Sequence, residues 1–247
     1  MLIEGVLLGI LIGLVLGTIG AGGAILAVPG LIAVMGLSTV AATTSSLVIV
    51  GSAAVAGFIP RLKTKTVDVR LGLTFSALGI LGTFVGTQLV KVVPESVQIV
   101  LFAILMFGAA LAMWRGPVAE SNAQVKSQWP LVFFVATAIG ILTGLLGVGG
   151  GFLIVPALVV ILKVPTKTAA GTSLVAIAST SAIAFLMRFE YWGEIPIGPI
   201  AAFTLAAIVS SFLAAPLAGK LNARTLQKEF AVFVTFAAAV ILISRGF

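Results

Sequence analysis

The chain has 247 residues, 60% of them hydrophobic and only 9% charged, with a mean hydropathy of +1.29; a soluble domain could not solvate that surface. The net charge of +7 does not point to nucleic acid, because the Lys and Arg residues lie almost entirely in short breaks between apolar runs, where the positive-inside rule puts them. With no Cys and no His, disulfide frameworks, thiolate metal sites and the commonest general base are excluded, and no cofactor is expected.

Membrane helices need roughly 20 predominantly apolar residues each, and runs of about that length recur from one end to the other. The first, 2–19, has no basic n-region and no A-x-A-like cleavage site, so it reads as a retained membrane helix and not as a signal peptide. Runs at 24–35, 39–59, 71–90 and 97–114 follow, then a polar stretch, "RGPVAESNAQVKSQWP", typical of an aqueous loop. Five more runs lie at 131–146, 152–162, 168–187, 197–218 and 227–243. Trp114, Trp129, Tyr191 and Trp192 fall at run ends, as interfacial aromatic belts do.

The second half repeats the first, aligning without a gap over the first three runs. At an offset of 127 residues Gly13 matches Gly140, Gly20 matches Gly147, Pro29 matches Pro156, Ser46 matches Ser173, Ser52 matches Ser179 and Arg61 matches Arg188. Chance apolar similarity would not align glycine, proline, serine and arginine together. One membrane domain, 1–247, is therefore expected, with repeats 1–115 and 130–247 joined by a linker at 116–129.

Loop charge bears on how the repeats are oriented. "RLKTKTVDVR" carries four basic residues while its counterpart "RFEYWGEIP" carries one arginine and two glutamates, and the next pair of loops, "KVVPES" and "KLNARTLQKE", reverses the bias. Five crossings per repeat would invert the second relative to the first; four crossings and a re-entrant hairpin would leave them parallel. The charges favour five, with 61–70, 115–126 and 220–229 cytoplasmic. The expected fold class is an all-α polytopic membrane protein of two inverted five-segment repeats, each containing a short broken helix.

The short second run of each repeat is the anomaly. A dozen residues at about 1.5 Å each reach only around 18 Å, short of a hydrocarbon core near 30 Å, and each follows a glycine cluster: "GTIGAGGAILAVP" has four glycines in its first seven residues, and "GLLGVGGGFLIVP" repeats the pattern. Non-helical backbone at membrane depth is tolerated only where protein or a water-filled cavity satisfies it. Helices starting there would aim unpaired N–H groups and a positive dipole end inward, an anion site made without charged side chains. The candidate substrate-binding glycines are Gly20, Gly22, Gly23, Gly147, Gly149, Gly150 and Gly151, and Pro29 and Pro156 would each mark a kink one turn or more further on. Gly9, Gly13 and Gly17 have small-xxx-small spacing and read instead as helix-packing positions.

The third runs carry "TTSS" and "GTSL", whose hydroxyls at Ser45, Ser46, Thr172 and Ser173 could donate to an oxyanion or bond back to their own helices. Arg61 and Arg188 end these runs, at opposite faces if the repeats are inverted; each would draw anions into a vestibule or snorkel to an interface. No Asp or Glu lies mid-run, and without His there is no H-E-x-x-H motif. An enzyme is not expected.

With "GAGGAILAVP" and "GVGGGFLIVP", each leading into a Thr/Ser-rich segment, the chain resembles the sulfite exporter TauE/SafE family along essentially its whole length. The resemblance implies a multi-pass transporter of the plasma or inner cell membrane that exports a small sulfur-containing anion such as sulfite or sulfoacetate. Uptake of such anions, organic-acid export and an anion channel are the alternatives. The expected partners are a small anionic substrate and the lipid bilayer, with proton or sodium coupling and the oligomeric state left open.

Overall fold

A computed structural model describes residues 2–21, 23–89, 92–115, 129–146, 151–222, 224–229, 231–232 and 235. The described chain is helical: α1 (Leu2–Ile19), α2 (Gly23–Met35), α3 (Thr39–Lys63), α4 (Val69–Leu89), α5 (Glu95–Arg115), α6 (Trp129–Leu146), α7 (Gly151–Pro156), α8 (Thr166–Met187) and α9 (Ile197–Lys220). The 116–128 linker and most of the last expected segment lie outside the described residues. Among the described residues four helices are long and apolar enough to cross a membrane, Val40–Lys63, Val69–Leu89, Thr166–Met187 and Ile197–Ala218, joined by shorter apolar helices such as Glu4–Ile19 and Trp129–Thr143.

Local chemistry sets the boundaries. α1 stops at Gly20, whose positive φ of 79° and N–H bond to the Leu16 carbonyl, 2.9 Å, form a left-handed cap. A side chain there would also collide with the Ala170 carbonyl of α8, so glycine is needed both for conformation and for approach. Ser38 caps α3 by accepting from Ala41 N, 3.1 Å, and Asp68 does the same for Leu71 N before α4, 2.9 Å.

The short second helices are present, and they differ. α2 runs through Pro29 as one helix, at 13 residues about 20 Å long. α7 ends at Pro156 and passes into a π-helical turn, Ala157–Ile161. Proline removes an i→i−4 bond and crowds the preceding turn; the second repeat absorbs this by widening the helix, whereas α2 stays continuous.

Two tightly knit helix pairs flank a central crossing. α1 lies along α9, with Gly9, Gly13 and Gly17 against the carbonyls of Phe203, Ala207 and Ser211. α6 lies along α4, with Gly140 against the Gly79 carbonyl and Gly82 against that of Thr137. Both pairs are parallel, since contacts advance together along the two sequences, and Arg70 at the start of α4 sits 5.6 Å over the Trp129 ring at the start of α6. Between them α3 and α8 cross antiparallel: Thr43 meets Arg188, Gly51 meets Ser181, and Gly57 meets Leu174.

The core fills this crossing with Ile12, Leu16, Leu31, Ile49, Leu174 and Phe203, all fully buried. Leu81, Phe84, Phe134, Leu205 and Leu213 are instead each more than 60% exposed. An outer surface so consistently apolar is suited to lipid and not to water. The crossing also defines two ends of the bundle. Arg61, Thr66 and Lys167 share one, and Arg188 with the start of α3 marks the other.

Candidate functional site

A cavity of about 410 Å³ opens between α3, α4, α6, α7 and α8. Its walls are the inner faces of helices, recognisable by i, i+3, i+4, i+7 spacing: Thr43, Ser46, Leu47 and Val50 on α3, and Ile177, Thr180, Ser181, Ala184 and Arg188 on α8. α4 adds Ser76, Thr83 and Thr87, and α6 adds Gly140 and Thr143. The cavity reaches the Arg188 end of the bundle. Among the described residues Arg188 is the single charged residue in its lining, and its Nη1 donates to Thr43 Oγ1 at 2.8 Å.

The hydroxyls are less free than their number suggests. Ser46 donates to the Thr43 carbonyl at 2.8 Å, Thr180 to Ala176 at 2.9 Å, Thr143 to Ile139 at 2.7 Å and Ser76 to Ala176 at 3.0 Å. A proton engaged with a helix carbonyl must leave it to serve an anion. The guanidinium carries five donors in a planar fork and fixed charge, so an oxyanion entering the cavity meets its strongest partner at Arg188.

The cavity gathers some of the sequence candidates and leaves others aside. Ser46, Gly151 and Arg188 line it. Gly20 packs on Ala170, and Gly23 on the Leu16 and Ile12 side chains. Ser173 donates to the Gly20 carbonyl at 2.6 Å and to that of Ala170 at 2.9 Å, while Thr172 Oγ1 accepts from Asp68 N at 2.9 Å, holding the α3–α4 loop on α8. Ser45 is fully buried, and its hydroxyl has no hydrogen-bond partner. Gly22, Gly147, Gly149 and Gly150 lie outside the described residues. Arg61 is buried and donates to the carbonyls of Gly17 at 2.6 Å and Thr18 at 3.0 Å; it is tied to the C-terminal end of α1 and does not snorkel.

Sequence reasoning missed Thr43, Ser76, Thr83, Thr143 and Thr180. Thr43 and Thr180 share helical faces with Ser46 and Arg188, a periodicity visible in the sequence. The hydroxyls of α4 and α6 become relevant only once those helices are known to pack together.

An apolar-surfaced helical bundle with an internal cavity, largely apolar but carrying hydroxyls and, among the described residues, one arginine at its mouth, defines a membrane protein. The chain belongs to the sulfite exporter TauE/SafE family, whose sequence pattern it matches over residues 5–241. It is similar to a "Probable membrane transporter protein" of Xylella fastidiosa (strain 9a5c), 36% identical over 183 residues, which is 72% of this chain and 70% of that protein. It is also similar to the "Probable membrane transporter protein YunE" of Bacillus subtilis (strain 168), 29% identical over 197 residues, 68% of this chain and 71% of the relative. No solved structure matches it. The chain is thus a transporter of the membrane, with a small-molecule substrate.

Proposed function

We propose that the protein exports a small sulfur-containing oxyanion, sulfite or a sulfonate such as sulfoacetate, across the cell membrane by alternating access. The observation that carries this reading is the cavity of about 410 Å³ whose one charged lining residue, among those described, is Arg188. Gly151, where α7 starts, also lines it.

The antiparallel crossing of α3 and α8 supports inverted repeats, because these helices are sequence counterparts: Arg61 and Arg188, Ser46 and Ser173. Inverted repeats place a shared site near the midplane and let one arrangement convert into its mirror. An interior-negative potential favours anion exit by about 2.3 kcal/mol per charge per 100 mV. The bonds of Arg61 and Ser173 beside the Gly20 turn close the bundle opposite the cavity, which favours a carrier over a continuous channel.

Purified protein in liposomes under an imposed potential tests the reading with sulfite, sulfoacetate, sulfate, thiosulfate and acetate. Saturable flux of sulfite or sulfoacetate is expected. Movement of a cation or neutral solute with none of these anions would overturn it.

A further inference from the structure

The two glycine-knit pairs are sequence counterparts. α1 corresponds to α6 at an offset of 127, as Gly140 minus Gly13, and α4 to α9 at 128, as Phe203 minus Phe75 and Phe212 minus Phe84. They are nevertheless placed differently. α1 and α9 close on α3: Ser211 Oγ donates to the Ala53 carbonyl at 2.8 Å, a Cβ at Gly57 would run into the Ser211 hydroxyl, and Arg61 holds the end of α1. α4 meets α8 near its start, with Gly72 against the Thr172 carbonyl and Ser76 donating to that of Ala176 at 3.0 Å, but further along α4, at Thr83 and Thr87, the space between α4, α6 and α8 is the large cavity. Among the described residues α6 has no packing on α8 comparable to that of α1 on α3.

At the closed end lies a smaller pocket of about 340 Å³, lined by Arg61, Thr64, Thr66, Lys167 and Ala215 among others. It corresponds to the mouth of the large cavity: Arg61 is the counterpart of Arg188 at 127, and Ala215 that of Thr87 at 128. Arg61 is 4% exposed, and its Nε has no hydrogen-bond partner. A buried cation with an unmade bond, in a pocket that also carries Lys167 and two threonine hydroxyls, presents the chemistry of an anion site drawn shut.

We propose that this pocket is a second oxyanion vestibule, latched in the present conformation, and that Arg61 and Arg188 exchange roles. In the alternate state α1 and α9 leave α3, Arg61 releases the Gly17 and Thr18 carbonyls and faces the solute, and α4 and α6 close on α8. Arg188 then takes the carbonyls of Gly144 and Leu145, the counterparts of Gly17 and Thr18. The proposal deepens the transport reading and rests on it for the identity of the solute.

Its test is independent of the solute. The chain has no cysteine, so Thr87→Cys and Ala215→Cys, made singly, report on the two mouths through their rates of modification by a membrane-impermeant maleimide applied to either side of sealed vesicles. Adding Arg61→Ala should speed modification at Ala215→Cys at least tenfold and slow it at Thr87→Cys by a similar factor. Unchanged rates, or rates that rise together at both positions, overturn the exchange. If Arg61→Ala does not accumulate in the membrane, Ser211→Ala loosens the same seam and carries the same expectation. Opposed shifts in a protein that moves no anion would preserve the exchange and discard the substrate.

Discussion

At the scale of single residues, two arginines at equivalent sequence positions occupy unlike surroundings. Arg61 is buried on helix carbonyls; Arg188 lines the cavity and donates to Thr43. A hydrogen bond to a charged group is worth about 1.5–3 kcal/mol, which is roughly 10- to 100-fold in affinity. If the substrate is the anion proposed above, Arg188→Gln is accordingly expected to raise its half-saturation concentration by that factor, measured as initial flux in liposomes. Arg188→Lys keeps charge but loses the planar fork and should fall between the parent and Arg188→Gln. An unaltered half-saturation value would remove Arg188 from the site. The hydroxyl candidates were half legible: "TTSS" and "GTSL" lie on α3 and α8, both of which line the cavity, yet rotation about each helix axis sends Ser46 to the cavity and Ser173 to the Gly20 carbonyl.

Among the helices, glycine governs how closely neighbours approach. Gly140 faces the Gly79 backbone, where any side chain would collide, while Gly108 on α5 has nothing within 4 Å. Gly140→Val should therefore prise α6 from α4 and lower the thermal midpoint of the detergent-solubilised protein by several degrees or prevent its accumulation, on the scale of about 1–3 kcal/mol for overpacking. Gly108→Val should leave that midpoint nearly unchanged. Equal behaviour of the two variants would show that the α4–α6 contact does not limit stability. Gly9, Gly13 and Gly17 lie against α9, the packing role their spacing implied. The identity of the partner helix was not legible, because spacing gives the face of a helix and not what covers it.

For the molecule as a whole, the relevant quantity is the distribution of charge between two ends. Lys63 continues α3 beyond Arg61, and Glu190 follows Arg188 in the 3₁₀ turn Phe189–Glu194, so the antiparallel crossing sets them at opposite ends. Lys228 lies 5.7 Å from the Trp114 ring, tying the end of α5 to the segment after α9. Single cysteines replacing Lys63, Glu190 and Arg224 should label from opposite sides of sealed vesicles: positions 63 and 224 from the cytoplasmic side and 190 from the other. Labelling of positions 63 and 190 from the same side would refute inverted repeats.

The sequence by itself determined the membrane environment, the helical class and the places where short helices begin, since each follows from local composition, periodicity or glycine conformational freedom. Only the tertiary structure decided which repeat-related groups meet a cavity and which are spent on packing. Counterparts such as Arg61 and Arg188, or Ser46 and Ser173, are equivalent in sequence, but the structure buries Arg61 and Ser173 on helix carbonyls and sets Arg188 and Ser46 on the cavity. That difference arises from the placement of the α1–α9 and α4–α6 pairs against the α3–α8 crossing, a long-range arrangement that local sequence does not encode.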